Sequence, residues 1–288
     1  MRDYVIITDS GCDLSADMVE ALGVDVLPMR LLIDGNEYNH YHDYRELSMN
    51  AFYEKVRAGH FGQTSCVSTG VIAEAMENYI QKGMDVLYIS LSSGLSGSYT
   101  SACLAADTVK EDYPDAVIHV VDTKSVSVGI GMLVYLAAKN KKAGMNIEDN
   151  AQYLNEHARN ICHYFMVDDL KYLQKSGRIS TISAIAGTAV GIKPIFIMND
   201  EGKIAVTAKV RGTKVATKRL AEAVAEKCDD ASVMFIVHMD NQNGADALSE
   251  RIKEKYPNTQ IVVNNVGPII GNHTGFGTLA VIFHGTSR

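Results

Sequence analysis

A run of hydroxyl and glycine residues is the part of this sequence best suited to chemistry: Ser92-Ser93-Gly94-Leu95-Ser96-Gly97-Ser98-Tyr99. It lies between a predicted strand over residues 85–91 and a predicted helix over 99–112. The first amides of a helix have no partner inside the helix, and the helix dipole adds partial positive charge there. A loop that offers such amides and several hydroxyls favours anion binding. A flexible polar turn with a capping serine explains the run equally well. Because the run lacks both P-loop spacing and a Gly-x-Ser-x-Gly elbow, we expect it to donate hydrogen bonds.

Three other segments offer polar groups. The hydroxyl-rich stretch Thr64-Ser65-Cys66-Val67-Ser68-Thr69 precedes a predicted helix over 71–81, and by itself it is best explained as a cap. The predicted loop over 267–277 combines four glycines with His273, so its backbone can approach a ligand closely. Arg211 follows a predicted strand over 205–210 and could contact an anion or simply lie at the surface.

Short apolar runs alternate with helical patterns through the first half of the chain. Strands are predicted over 4–8, 24–33, 85–91 and 117–122. The helices between them indicate βαβ units and a parallel sheet. Ligands of such sheets bind at the loops that follow the carboxyl ends of the strands. The loops after Thr8, Ser90 and Asp122 are therefore the expected ligand side.

The second half has a different pattern. Apolar runs over 193–198 and 205–210 surround a turn over 199–202, which predicts a β-hairpin. Helices and strands follow, and a short amphipathic helix over 168–180 precedes the hairpin. These features predict an α+β domain, with domains over 1–161 and 162–288.

Composition excludes several classes of protein. The net charge of −7 argues against a nucleic-acid binder, and no apolar run is long enough for a membrane-spanning helix. The N-terminus lacks the length of a signal peptide. Five cysteines without a Cys-x-x-Cys pair predict reduced thiols, neither a disulfide frame nor a zinc site, and a cytoplasmic location.

Taken together, these segments resemble the DegV family of bacterial fatty-acid-binding proteins, which includes the carrier subunits called FakB. The resemblance spans nearly the whole chain. Its motifs are Thr8-Asp9-Ser10 with Asp13-Leu14, Thr64-Ser65, the run over 92–99, Asp122-Thr123-Lys124 with Gly129 and Gly131, Asp169-Leu170 with Tyr172-Leu173, Gly177-Arg178-Ile179-Ser180, Lys193-Pro194, Arg211-Gly212, and the run over 267–277.

The resemblance implies a fold and a ligand. The fold would be a Rossmann-like α/β/α domain, with a mainly parallel sheet, joined to a smaller α+β domain. A long-chain, palmitate-like fatty acid would lie with its tail buried between the two domains, and no other cofactor is expected. Apolar residues over 182–198 could supply part of the wall for this tail, although plain core packing explains most of them. Burial of about sixteen carbons at about 0.8 kcal/mol per methylene would supply roughly 12 kcal/mol.

The same resemblance assigns roles to individual residues. Thr64 and Ser96 would take the carboxylate, with Ser65 and the amide of Gly97 nearby. His273 would be a further polar partner, and Arg211 would belong to the surrounding network. The chain departs from the family pattern where Cys66-Val67 replaces Gln-Pro and where Phe276 replaces Pro. Neither departure removes a proposed hydrogen-bonding group.

Three functions remain open from the sequence. The first is a carrier without chemistry of its own, which presents the fatty acid to a kinase that resembles dihydroxyacetone kinases; residues 175–178 could belong to the docking surface. The second is an esterase or phosphatase that uses Ser96 with His273, and Asp9 or Asp122 as the orienting carboxylate. The third is a regulator that binds an anion or a phosphosugar in a shallow polar pocket.

Overall fold

The computed structural model describes residues 2–179 and 191–288. The chain divides into two units, Met1–Ala158 and Arg159–Arg288. The predicted domain boundary, after residue 161, lies close to this division, and the domain assignment itself stays a prediction.

The first unit alternates strands and helices. In chain order its strands are β1 (Tyr4–Asp9), β2 (Asp25–Leu27), β3 (Met29–Ile33), β4 (Asn36–His40), β5 (Gln63–Ser65), β6 (Asp85–Ser90) and β7 (Ile118–Asp122). Its helices are α1 (Ala16–Leu22), α2 (Met49–Arg57), α3 (Thr69–Ile80), α4 (Ser98–Asp112), α5 (Val128–Lys142) and α6 (Ile147–His157).

Four of these strands form a parallel sheet in the order β2-β1-β6-β7. Every residue of β1 and β6 is buried, because helices flank the sheet. The apolar runs of these strands therefore match a sheet that is covered on both faces. Since all four strands run the same way, the loops after Asp9, Ser90 and Asp122 meet at one edge of the sheet.

The predicted single strand over residues 24–33 is wrong. It is two strands separated by Pro28: β2 extends the parallel sheet, whereas β3 lies between β4 and β5 in a small antiparallel sheet. Proline has no N–H to donate and a fixed φ, so it interrupts the ladder at the point where the chain changes sheets. The hydroxyl of Ser10 accepts a hydrogen bond from the Met29 N–H at 3.0 Å and holds the chain just after this point.

The second unit has a larger sheet. Its strands are β8 (Ile161–Met166), β9 (Ile192–Met198), β10 (Ile204–Arg211), β11 (Cys228–His238), β12 (Gln260–Asn265) and β13 (Leu279–Gly285), and its described helices are α7 (Leu170–Ser176), α8 (Thr213–Lys227), α9 (Gln242–Lys255) and α10 (Pro268–Thr274). The strand order is β10-β9-β8-β13-β11-β12, and all neighbours except β11 and β12 are antiparallel. Residues of α8 and α9, including Leu220 and Leu248, pack with Ile236 and Phe283 in a buried core.

These two sheets confirm the predicted fold class. The hairpin over 192–211 is also confirmed, but the predicted loop over 267–277 is wrong in part, because residues 268–274 form α10. Pro268 occupies the first helical position, where its missing N–H costs nothing. The predicted tail wall lies partly outside the described residues, at 182–190, and its described end forms β9.

Candidate hydrogen-bonding site at the start of helix α4

The loop between β6 and α4 is a tight turn built around Ser92. The carbonyl oxygen of Ser92 accepts hydrogen bonds from the N–H groups of Leu95 and Ser96, both at 3.1 Å. The hydroxyl of Ser92 accepts a third from the Gly94 N–H, also at 3.1 Å. Ser92 is fully buried, whereas the residues that follow it reach the surface. The turn thus presents Ser96 and Gly97 at the carboxyl edge of the sheet, where the sequence predicts a ligand.

Ser96 and Gly97 immediately precede α4. The hydroxyl of Ser96 accepts a hydrogen bond from the Ser98 N–H at 3.2 Å and lies 3.0 Å from the Ser98 hydroxyl. Gly97 is the N-cap and has no side chain that could cap the helix. A methyl group built on Gly97 would meet no described atom within 4 Å. The space beside this amide is therefore open, and the first turn of α4 can face a ligand.

Thr64 lies on strand β5. Its register pairs Thr64 with Leu31 and Ser65 with Arg30. Directly paired residues point to the same face of a sheet, and Leu31 is fully buried while Arg30 is exposed. Thr64 therefore points to the covered face and Ser65 to solvent. The sequence interpretation of this segment as a helix cap missed the strand, because a three-residue strand leaves no periodic signal.

A sulfur contact links the two segments. The Cys66 sulfur lies 3.8 Å from the Ser101 hydroxyl, one turn into α4. The chain just after β5 thus contacts the first turn of α4. That Thr64 and Ser96 share one ligand site stays a prediction. The substitution of Cys66-Val67 for the family's Gln-Pro falls at this contact.

Two fully buried polar groups lie in the same part of the sheet. Asp9 ends β1 and accepts the Gly11 N–H at 3.0 Å, and burial raises the pKa of its carboxyl to about 6. Burial, followed by the charge of Asp9, raises the pKa of Tyr88 well above its usual range. Tyr88 pairs with Ile7 on the neighbouring strand. Within the described part of the chain, Asp9 Oδ2 and Tyr88 Oη have no hydrogen-bond partner.

The contacts of Ser96 are those of a hydrogen-bond donor and acceptor. Its hydroxyl hydrogen-bonds only Ser98 among the described residues. Asp9 is bound to Gly11, and Asp122 accepts hydrogen bonds from Ser93 and Lys124. The pKa of Asp122 is lowered by these bonds, although burial opposes them. None of the described contacts supplies the base that a serine nucleophile requires.

His273 and Arg211 belong to the second unit. His273 lies on α10, and burial together with the nearby Arg178 guanidinium lowers the pKa of its imidazole to about 4. The ring is therefore neutral at pH 7. Arg211 is exposed at the end of the edge strand β10, and no described carboxylate lies within ion-pair distance of it. Their association with Thr64 and Ser96 stays a prediction.

Arg178 lies close enough to His273 for its charge to lower the pKa of the imidazole, and no local feature of the sequence indicates this. It follows α7, which ends where Gly177 adopts φ 68°. Its side chain donates to the Ser176 carbonyl oxygen, and its charge acts on His273. Arg178 is part of the family motif, but the helix dipole alone explains a cation at the end of α7, so the sequence does not indicate a contact with His273. Only packing of α7 beside α10 reveals the pair.

Two glycines allow this packing. Gly275 and Gly277 have φ values of 74° and 76°, and a Cβ on either would collide with the ring of Tyr172 or the carboxyl of Asp168. Asp168 is held by Lys193 at 2.7 Å. The sequence predicts that the glycines of this segment let a ligand approach the backbone. In the structure, Gly275 and Gly277 let Tyr172 and Asp168 pack against it.

The described residues contain no helix long and apolar enough to cross a membrane. Over the same residues, no group of three or more His, Cys, Asp or Glu side chains could hold a metal ion.

Fold and site together define a two-unit α/β protein in which hydroxyl and amide groups lie at the edge of a parallel sheet. The family model described as "Uncharacterised protein, DegV family" matches residues 3–285. The chain belongs to the DegV family.

Its relatives match over nearly their full length. A DegV domain-containing protein of Clostridium perfringens is 40% identical over 100% of this chain and 99% of its own. One from Streptococcus pyogenes is 33% identical over 98% of both chains.

Solved structures of the family have the same fold. A fatty-acid-binding DegV protein of Streptococcus agalactiae is 29% identical, covers 100% of both chains and has a TM-score of 0.88. A DegV family protein of Thermus thermophilus, described by its fatty-acid binding, is 28% identical over 99% of this chain and 100% of its own, with a TM-score of 0.89. DegV of Bacillus subtilis, described as a fatty-acid-binding protein, is 28% identical over the same shares, with a TM-score of 0.85.

Proposed function

We propose that this protein binds one long-chain fatty acid and acts as its carrier, with the carboxylate held by the hydroxyls of Thr64 and Ser96 and the amide of Gly97. The observation that carries the proposal is the open start of α4, where Gly97 has free space beside it and Ser101 lies against Cys66, two residues after Thr64. Relatives of the same fold, described as fatty-acid-binding, give the class of ligand.

The chemistry of these hydroxyl and amide groups suits a lipid better than a small polar anion. Burial of a chain of about sixteen carbons supplies roughly 12 kcal/mol, which exceeds association costs of several kcal/mol. Neutral donors then need only to orient the carboxylate. A small anion has no such tail and would need charged partners for tight binding.

The proposed head site is narrower than the set of residues the family resemblance implies. Ser65 is left out because it pairs with Arg30 of β3, and both side chains lie on the exposed face of this small sheet. Neutral His273, with the adjacent Arg178, is proposed as a second polar contact for the ligand. Enclosure of the tail by both domains, presentation to a kinase and a cytoplasmic location stay predictions.

The first experiment is native mass spectrometry of the purified protein, followed by extraction and identification of the lipid. We expect one fatty acid per chain. An empty protein that also fails to bind added palmitate would refute the proposal.

The second experiment measures affinity by displacement of a fluorescent fatty acid. A hydrogen bond to a charged acceptor contributes about 1.5–3 kcal/mol, so Ser96→Ala and Thr64→Val should each weaken binding by about tenfold or more. Thr207→Val, an isosteric change at an exposed strand threonine, is the matched control. Hydrolysis of model esters that Ser96→Ala abolishes would instead favour an enzyme.

A further inference from the structure

The loop that carries Ser96 is tied from behind to the segment that follows β7. The Asp122 carboxylate accepts hydrogen bonds from the N–H groups of Ser93 and Lys124, both at 3.1 Å. The ammonium of Lys124 lies 2.7 Å from the same carboxylate and donates to the Ser93 hydroxyl at 2.8 Å. One carboxylate and one ammonium thus connect two loops at the edge of the parallel sheet.

A second connection lies beside the first. The Ser92 N–H donates to the Ser125 carbonyl oxygen at 3.0 Å, and the Thr123 hydroxyl donates to the Ser90 carbonyl oxygen at 2.7 Å. Because the turn over 92–97 is built on the carbonyl oxygen and hydroxyl of Ser92, anchoring of Ser92 and Ser93 determines where Ser96 and Gly97 lie.

The geometry of Lys124 supports a specific role. It adopts φ 50°, a left-handed conformation that non-glycine residues seldom occupy. The Asp122 carboxylate accepts the N–H of this same residue, so the aspartate holds the backbone that aims the lysine.

The charges also matter because the proposed ligand is an anion. Burial alone would raise the pKa of the Asp122 carboxyl, but the hydrogen bonds from Lys124 and Ser93 together outweigh it and lower the pKa, so Asp122 is ionised at pH 7. A carboxylate this close to the loop would repel a fatty-acid headgroup if no cation neutralised it. Lys124 supplies that cation, with both side chains largely removed from water at 26% and 13% exposure.

We propose that Asp122 and Lys124 are positioning residues for the ligand site: they hold the Ser92–Gly97 loop in its binding shape, and Lys124 neutralises the aspartate beside the bound carboxylate. This inference rests on the proposed function.

The test compares fatty-acid affinity of three variants of the full chain. Lys124→Met leaves Asp122 charged and should weaken binding by about tenfold, because a like charge then lies near the ligand. The double variant Asp122→Asn, Lys124→Met removes both charges and keeps an oxygen for the Ser93 N–H. We expect it to bind about threefold more tightly than Lys124→Met, because the like charge is gone, and still more weakly than the wild type, because the bond from Lys124 to the Ser93 hydroxyl is lost. Lys55→Met is the matched control, since it removes a 3.0 Å ion pair with Asp34 that does not touch the loop.

The affinities of the three variants separate the two roles proposed for Lys124. Wild-type affinity in Lys124→Met overturns the inference, and equal loss in the single and double variants overturns the role of charge. If Lys124→Met does not fold, as judged by circular dichroism, Lys124→Gln takes its place in the same comparison. A wild-type chain that binds no fatty acid counts against the proposed function, whereas a binding wild type with an unaffected lysine variant counts against this inference alone.

Discussion

Asp9 should make the stability of the first unit fall as pH rises. The carboxyl is fully buried, and burial raises its pKa from 3.8 to about 6. Between these values the native state keeps a proton that the unfolded chain releases, so the free energy of unfolding decreases as pH rises through this window. A shift of about two units at 1.36 kcal/mol each gives about 3 kcal/mol.

The substitution Asp9→Asn isolates this effect. Asparagine keeps an oxygen for the Gly11 N–H but does not ionise. The stability of the variant relative to the wild type should therefore increase by about 2 kcal/mol between about pH 4.5 and about pH 8. Burial lowers the pKa values of His40 and His273 to about 4, so these residues make stability increase as pH rises. The wild type and the Asp9→Asn variant both contain them, so their contribution cancels in the stability difference.

Urea unfolding at the two pH values measures the difference, and a ¹³C NMR titration of the Asp9 carboxyl reports its pKa directly. A stability difference that is the same at both pH values would refute the reasoning. It would mean that Asp9 ionises without penalty because water or a ligand reaches it.

Two further substitutions test the packing. Tyr88→Phe removes a buried hydroxyl that has no described partner, so the free energy of unfolding should rise by about 1 kcal/mol in thermal melts. A decrease of the same size would indicate that a water or a ligand binds this hydroxyl. Gly277→Ala should lower the free energy of unfolding by more than about 2 kcal/mol. Gly277 has φ 76°, and the new methyl group would collide with the Asp168 carboxyl. Gly177→Ala, at φ 68° but in open space, is the control and should cost only about 1 kcal/mol. Equal losses in the two glycine variants would show that Asp168 moves aside.

Local patterns determined much of this protein from the sequence alone. The apolar runs over residues 4–7 of β1 and 86–89 of β6, with the helices between the strands, predict a parallel sheet, because the middle of a strand buried on both faces is apolar on both. The cap of α1 is equally local: Ser15 accepts the Met18 N–H, and Gly23 adopts φ 63°. The Ser/Gly run before α4 is predicted for the same reason, since the hydrogen bonds of that turn join residues close in sequence.

Long-range pairing decided the rest. The side of β5 to which Thr64 points depends on its register with Leu31, and a shift of one residue would exchange Thr64 and Ser65. The anchoring of Ser93 by Asp122 joins residues 29 positions apart. The sequence by itself therefore determined that a hydroxyl-rich loop starts a helix at the edge of a parallel sheet. Only the tertiary structure decided which face of β5 carries Thr64 and which carboxylate holds the loop of Ser96, because neither register nor contact between distant loops leaves a periodic signal in the chain.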